Sequence, residues 1–488
     1  MGLEHTFRWF KEDLCNRCGE CFVKCPALNL PESAAKADIQ ALIEGDAEDS
    51  LAFQYCTTCN FCDSICPKGA DPYELILERY NTYVRKHGLP FMAKMIFPNE
   101  PENIWSCIRA LMDKDDVSLL STWEHNLHKP NKQILLTGFY TNLVPHLVKG
   151  KALEEFRNMT VGAEGLWGCG GDSNKLGSIV LTKQVVELLQ TQFTQMGVER
   201  VYCFMEAEAA MLSEVLPRRF GAQFKFEALP LEYLILEKLQ NGDIKVTRNL
   251  NLKVTVHDNC MSRYFGGKPQ EVVRQILTLT GCEVVEMEHS RLNSLCCGWA
   301  ATIPTLYGKG SGNPLRTLMY LLHSLYRRLQ EGQTTGADAL VTGCPACYIF
   351  LSLIKEITNA KIKIYHPLEI VQIASGEQYE YRTQRRSWEI LAAATNLMLK
   401  WAVSSRNRKR FFPKPIDVSR VETLPEAPGA DVRTVKLIAS FFNSPLVQNP
   451  ISKSLLGTFV RTAIAAYRLQ LRRKLLTRPL EGVGNTLL

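Results

Sequence analysis

Two cysteine runs near the start of the chain restrict its fold more than any other feature. "CNRCGECFVKCP" sets Cys15, Cys18, Cys21 and Cys25 in the order C-x-x-C-x-x-C-x-x-x-C-P, and "CTTCNFCDSICP" repeats it with Cys56, Cys59, Cys62 and Cys66. Three thiolates two residues apart can take three corners of one 4Fe–4S cube. The fourth, beside proline, points away and serves the other cube. The spacing therefore assigns Cys15, Cys18, Cys21 and Cys66 to one cubane and Cys56, Cys59, Cys62 and Cys25 to a second. The alternative is a pair of zinc sites. Zinc more often takes C-x-x-C pairs from separate hairpins than three thiols in a row.

Between the runs, "SAAKADIQALIEGD" reads as a helix. This arrangement resembles the helical two-cluster ferredoxin domain of fumarate reductase iron–sulfur subunits. The resemblance implies a relay that moves single electrons and makes or breaks no bonds itself. Of 17 cysteines, eight precede residue 67 and six lie between Cys260 and Cys347. Clustered thiols in a chain that needs no disulfide staple point to metal in a reducing compartment. The start, "MGLEHTFRWFKEDLC", has no apolar h-region, so no signal peptide is expected. No run of apolar residues reaches membrane-spanning length. The expected location is cytoplasmic, with the cytoplasmic face of the membrane as the variant.

From Lys132 onward the pattern changes. "KQILLTGF", "VERVYCF", "NLKVTVHDNC", "GCEVVEME" and "ADALVTGC" read as short buried strands. Helical stretches such as "LTKQVVELLQTQF" and "PLRTLMYLLHSLYRRLQ" separate them. Strands alternating with helices predict parallel α/β lobes. The segment is also duplicated. "QFKFEALPLEYLI" matches "KIKIYHPLEIVQI", "LWGCGGDSNKLG" answers "SLCCGWAATIPT", and "VYCFMEAEAAML" answers "VTGCPACYIFLS". The second lobe carries Cys260, Cys296, Cys297, Cys344 and Cys347. In the first, Phe139 stands in the place of Cys260, Gly168-Cys169 replaces the cysteine pair, and Glu206 replaces the C-x-x-C partner of Cys203. Two thiols and a carboxylate cannot hold a multi-iron cluster. The first lobe reads as a relic kept for packing and docking, with a cryptic zinc site as the lesser alternative.

The pattern C…CCG…C-x-x-C, with "HDNC" at His257–Cys260 and "TGCPAC" ending at Cys347, resembles the cysteine-rich CCG domain of heterodisulfide reductases. Joined to a two-cluster ferredoxin domain, the chain looks like the D-type polypeptides of that family. It is also similar to iron–sulfur subunits of anaerobic glycerol-3-phosphate dehydrogenase and of lactate oxidation, and to the K-type polypeptide of the sulfite reductase-associated membrane complex. The resemblance spans roughly residues 10 to 375. It implies that Cys260, Cys296, Cys297, Cys344 and Cys347 bind a noncubane 4Fe–4S cluster able to accept an external sulfur. Cys296 and Cys297 would then take part in thiol–disulfide chemistry, and Gly298 would let the backbone approach inorganic sulfide. Zinc at the same five thiols, or two plain core thiols at Cys296 and Cys297, are the alternatives. The implied partners are a flavoprotein, a cytochrome or a quinone-reactive membrane subunit, with a thiol or disulfide as substrate. Departures are the degenerate first lobe, an apparent insertion at "YGKGSGNP", and about a hundred C-terminal residues without a recognised counterpart.

His257 is the candidate proton donor to a leaving thiolate, or else a hydrogen-bonding loop residue. Arg263, Lys309 and Arg316 either attract an acidic substrate or are solvated surface charge. Cys107 and Cys282 read as core or surface thiols. From Glu377 to the end there are nineteen Lys/Arg against eight Asp/Glu, so the net charge of +7 belongs to this segment alone. Basic "SSRNRKRFFPKP" and linker-like "VETLPEAPGAD" precede an amphipathic helix with Leu456, Val460, Ala463, Tyr467 and Leu471 along one stripe. That helix packs on the protein's own core, docks a partner subunit, or lies on an anionic membrane surface. No nucleic-acid motif accompanies the charge.

The expected architecture is α+β. A helical ferredoxin-type domain (1–100) is followed by a degenerate first CCG lobe (130–245), an intact second lobe (250–375) and a basic helical extension (380–488). Three readings of function follow. In one, an oxidoreductase subunit reduces a disulfide at the second-lobe cluster. In another, an electron conduit links a dehydrogenase to quinone. A zinc-bearing assembly protein is the third.

Overall fold

A computed structural model describes residues 9–45, 47–97, 100, 103–162, 168–303, 305, 307, 313–378, 383–403, 409–413 and 429–476. Lys309 and residues 421–428 of the linker-like stretch lie outside them, as does most of the basic run at 404–415, while the last three residues of that stretch, Gly429 to Asp431, begin a helix that runs to Phe442.

The chain is α+β, and its N-terminal region is helical. Helices Glu32–Glu44 and Pro72–His87 flank the two cysteine loops. The first ends at Gly45, whose φ of 97° supplies the left-handed residue that closes a helix. Asp38 on this helix accepts from Ser50 Oγ and from the backbone N–H groups of Leu51 and Ala52. One buried carboxylate thus starts the short helix that leads into Cys56.

Two four-stranded parallel sheets follow. The first contains β1 (Gln133–Leu136), β2 (Thr160–Val161), β3 (Arg200–Cys203) and β4 (Glu227–Pro230), in the order β2-β1-β3-β4. The second contains β5 (Lys253–Val256), β6 (Glu283–Val284), β7 (Ala339–Val341) and β8 (Lys363–Tyr365), in the order β6-β5-β7-β8. The identical strand order is the structural form of the sequence duplication. Strand β2 at Thr160–Val161 is not among the strands the sequence suggests, whereas the equally short β6 falls within the run "GCEVVEME".

The helical region packs on both lobes. Arg219 of the first lobe pairs with Glu74, and both are buried. Tyr307 stacks on Tyr80 with ring centroids 4.3 Å apart, and its hydroxyl donates to the Leu176 carbonyl at 2.8 Å. The Pro314–Thr334 helix spans the junction. Arg316 donates to the Gln54 carbonyl, Tyr320 to that of Tyr55, and Arg327 to that of Pro26. Arg316 therefore joins two regions and is not a solvated charge. In the C-terminal helix Pro450–Leu476, the stripe of Leu456, Val460, Tyr467 and Leu471 packs against the core.

Candidate functional site

Both N-terminal runs fold the same way. Arg17 and Thr58, each two residues after the first cysteine, have φ of 57° and 50°, and Gly19 and Asn60 follow at 74° and 60°. Left-handed backbone at a non-glycine residue costs on the order of 1 kcal/mol, and it persists where function requires it. Here it turns three thiols to one side. The structure places Cys66 and Cys18 beside Cys15, and Cys15, Cys18 and Cys66 around Cys21. Cys59 neighbours Cys25, and both surround Cys56. Burial pushes the Cys25 thiol up to about 12 and raises that of Cys62. Such thiols need a cation to ionise. Backbone N–H groups of Thr58 and Ala70 donate to the sulfurs of Cys56 and Cys66 at 3.3 and 3.4 Å. Buried, converging thiols with N–H donors aimed at their sulfurs fit iron–sulfur clusters well.

The second-lobe set comes from three loops at the ends of β5, β6 and β7. Cys260 follows β5. The Cys296-Cys297 pair follows β6. Cys344 caps the Pro345–Ile357 helix, and Cys347 sits in its first turn. Thiol–thiol contacts run from Cys260 to Cys296, Cys297, Cys347 and Cys344 in turn, so all five are brought together. Hydrogen bonds from Cys296 and Cys347 pull the Cys297 thiol below its usual value, while Cys347 is raised.

The loops are pinned from behind. Asp258 takes a bidentate pair from Arg274 at 2.8 and 3.0 Å and accepts the Arg291 backbone N–H at 2.6 Å. It thereby ties the Cys260 loop to the segment entering the cysteine pair. Arg328 is fully buried and donates from Nε to His257 Nδ1 at 2.7 Å and from Nη2 to Ser294 Oγ at 3.2 Å. With Nδ1 accepting, the His257 proton sits on Nε2, which has no hydrogen-bond partner among the described residues. One ring nitrogen of His257 lies within 4.8 Å of the sulfurs of Cys297 and Cys347. Burial, reinforced by Arg328, holds the His257 pKa well below the usual range. His257 is thus a neutral N–H donor behind the sulfurs, and the orphaned donor fits a sulfur-bearing group there.

Gly298 has φ 107°, and a Cβ on it would lie 2.5 Å from Ser324 Cβ. Gly298 thus has the positive φ that favours glycine, and the close approach that a Cβ would block is to the Pro314–Thr334 helix. Arg263 is likewise not surface charge. Its buried guanidinium donates from Nη1 to the carbonyls of Cys59, at 2.9 Å, and of Cys260, at 3.1 Å. It stands 5.2 Å from the Phe61 ring centroid and also holds the Leu292 and Ser294 carbonyls. One side chain therefore joins the second ferredoxin-type loop to the second-lobe set.

The five thiols open into a cavity of about 60 Å³ whose other wall is the first lobe: Tyr140, Asp172, Lys175, Met205 and Met211. Burial lowers the Lys175 pKa, but Cys260, Asp172 and Cys296 outweigh it and leave the ammonium firmly charged. Cys169 and Cys203 lie beside Glu208, while Glu206 turns to Ser262 of the second lobe. Among the described residues the first lobe gathers no three metal-ligating atoms within 4.8 Å of one another. Cys107 and Cys282 are buried, the first against Asn396. Sequence reasoning misses Arg328, Arg274, Asp172 and Lys175. Arginine in an amphipathic helix reads as exposed, and a relic lobe gives no reason to single out a charged pair.

The family descriptions agree with this layout. Residues 12–70 match a 4Fe-4S dicluster domain and residues 254–352 match a cysteine-rich domain. The D-type polypeptide of dihydromethanophenazine:CoB–CoM heterodisulfide reductase from Methanosarcina barkeri is 25% identical over 411 residues, covering 75% of this chain and 94% of its own. The chain is a homologue of that D-type polypeptide. EtfAB:quinone oxidoreductase of Syntrophomonas wolfei is 22% identical over 70% of this chain, which spans 54% of that protein. The B-type polypeptide of fumarate reductase (CoM/CoB) from Methanothermobacter marburgensis is 23% identical over 74% of this chain and 72% of its own. The heterodisulfide reductase homologue is thus an iron–sulfur electron-transfer protein of a kind that works within multi-subunit redox assemblies. No helix among the described residues is long and apolar enough to cross a membrane.

Proposed function

We propose that the chain receives single electrons through two cubane 4Fe–4S clusters, held by Cys15, Cys18, Cys21, Cys66 and by Cys56, Cys59, Cys62, Cys25. It delivers them to a noncubane cluster on Cys260, Cys296, Cys297, Cys344 and Cys347, where a disulfide is reduced. The reading rests on one observation: the five thiols share a cavity with a first-lobe wall whose Lys175 and Asp172 are not iron ligands. Charged side chains that face the thiols without ligating iron are the kind of placed polar group that orients a small substrate. When bound, the noncubane cluster would accept an external sulfur and carry the half-reduced state. Reduction of a disulfide consumes two electrons and two protons and yields two thiols. The relay supplies the electrons singly. His257 holds its proton at Nε2 behind the sulfurs, and Lys175 presents a cation at the cavity. Redox partner subunits, whether flavoprotein, cytochrome or quinone-reactive, would face the Cys15 cluster or the cavity.

The second reading is a conduit to quinone, favoured by the similarity to a protein named as a quinone oxidoreductase. Anaerobically purified protein separates these readings. Three clusters correspond to about twelve irons per chain, against about eight with zinc in the second lobe. A paramagnetic species appearing on oxidation with added thiol, and lost in Cys297→Ser, supports thiol chemistry. Normal cubane signals with no such species under any thiol or disulfide would leave the conduit.

A further inference from the structure

We propose that the helices Gly429–Phe442 and Pro450–Leu476 form a docking face that seats this molecule on an anionic bilayer surface. The long helix has two apolar faces. One packs inward through Leu456, Val460, Ile464, Tyr467, Leu471 and Leu475. The other points away from the protein. Ile451, Leu455, Phe459 and Leu469 are 62–74% exposed. At 100° per residue they fall in one sector about 80° wide. Leu437 and Phe441, one turn apart on the preceding helix, and Leu446 between the two helices continue this exposure at 56–74%. Large apolar side chains rarely cluster outward without an occupant.

Charge selects the occupant. Residues 429–476 carry eight Lys/Arg and one Asp/Glu. Arg472 is exposed at one edge of the apolar sector of the long helix, Arg473 is exposed within it, and Arg433 and Lys436 border Leu437. Protein interfaces are depleted in charged residues at their core and carry a polar rim. An apolar sector with a one-signed cationic border instead matches a helix lying at the headgroup level, with its apolar face in the acyl boundary. The stripe noted in the sequence is the inward face, so the lipid-facing row is a different set of side chains. Because the inward face packs on the Pro314–Thr334 helix, docking would hold the second lobe close to the bilayer. This inference does not depend on which redox reaction the clusters perform.

The test uses the full, iron-loaded chain in vesicle flotation. Vesicles of phosphatidylcholine with about 30 mol% phosphatidylglycerol should float about tenfold more protein than phosphatidylcholine alone, and added salt should reduce the difference. The triple variant I451S/L455S/F459S, altered only at exposed positions, should keep its iron and its visible spectrum but lose flotation. Phe459→Trp should shift its emission to the blue on vesicle binding and be quenched by brominated acyl chains. Absence of enrichment on anionic vesicles overturns the proposal. So does flotation unchanged in the triple variant, or self-association through this face with no lipid binding.

Discussion

Arg263 donates to a carbonyl on the Cys59 loop and to another on the Cys260 loop, so a fixed positive charge sits between two thiol sets. A cation there stabilises whatever excess electron either set carries. Arg263→Gln should lower the reduction potentials of the Cys56 cubane and of the second-lobe centre, each by on the order of 50 mV. The Cys15 cubane serves as an internal control and should not move. Arg263→Lys should recover part of the shift. Redox titration followed by EPR reads all three. Equal shifts at all three centres, or none, would mean that Arg263 only holds the loops together. Gly298 allows a second test at this scale. Its φ of 107° and the 2.5 Å approach to Ser324 should make Gly298→Ala cost about 2–4 kcal/mol, combining backbone strain with overpacking. Gly336→Ala is the comparison, since its φ is 68° but nothing lies within 4 Å of the added Cβ. That variant should cost about 1–2 kcal/mol from strain alone. Thermal midpoints of the loaded proteins should rank wild type, Gly336→Ala, Gly298→Ala.

The Pro367–Ala374 helix shows how an element holds a loop that it does not contain. His366 caps it: Nδ1 accepts the Leu368 N–H at 3.2 Å, while Glu369 accepts the His366 N–H at 2.7 Å. The ring proton is thereby fixed on Nε2, which donates to the Gly343 carbonyl at 2.9 Å, next to Cys344. Burial holds the His366 pKa down to about 4, although the bond to Gly343 works in the other direction. In the unfolded chain the imidazole titrates near 6.5. Between those values the unfolded state binds more protons, so stability is complete above about pH 6.5 and falls as pH drops toward 4. The contribution is on the order of 3 kcal/mol. His366→Asn can still cap but cannot titrate, so its melting temperature should fall less between pH 7.5 and pH 5 than that of the wild type. Parallel pH profiles would remove His366 as the cause. The cysteines are legible in the sequence because iron–sulfur geometry dictates their spacing. The helices at 32–44, 179–196 and 314–334 are legible because their periodicity is strong. What holds the loops is not legible. His366, Arg328 and Arg274 act across 16 to 71 residues of sequence, and no local pattern marks them.

At the scale of the whole molecule, a large buried cluster runs from Phe10 through both lobes to Leu475, and a smaller one around Val254, Val273, Leu277 and Val341 fills part of the second-lobe sheet. The sequence points to four segments and carries no sign of how closely they are joined. Contacts between distant segments have no sequence period, and the joining side chains are arginines and tyrosines that read as ordinary helix faces. Arg316, Tyr320 and Arg327 lie on one helix of the second lobe yet hold carbonyls at Gln54, Tyr55 and Pro26. Buried thiols of the ferredoxin-type loops form part of that same core. Metal bound to them in the native state alone adds its binding free energy to folding. Because the larger cluster reaches both lobes, that stabilisation is shared beyond residues 9–97. Stripping iron with a chelator under anaerobic reducing conditions should therefore lower the main calorimetric transition of the entire chain. If the ferredoxin-type region were an independent unit, stripping would instead create a separate early transition and leave the remainder melting where it did before. Limited proteolysis adds a second readout. A shared core predicts that cleavage sites open together in residues 9–97 and around 314–334, whereas independent units predict cleavage confined to the N-terminal region.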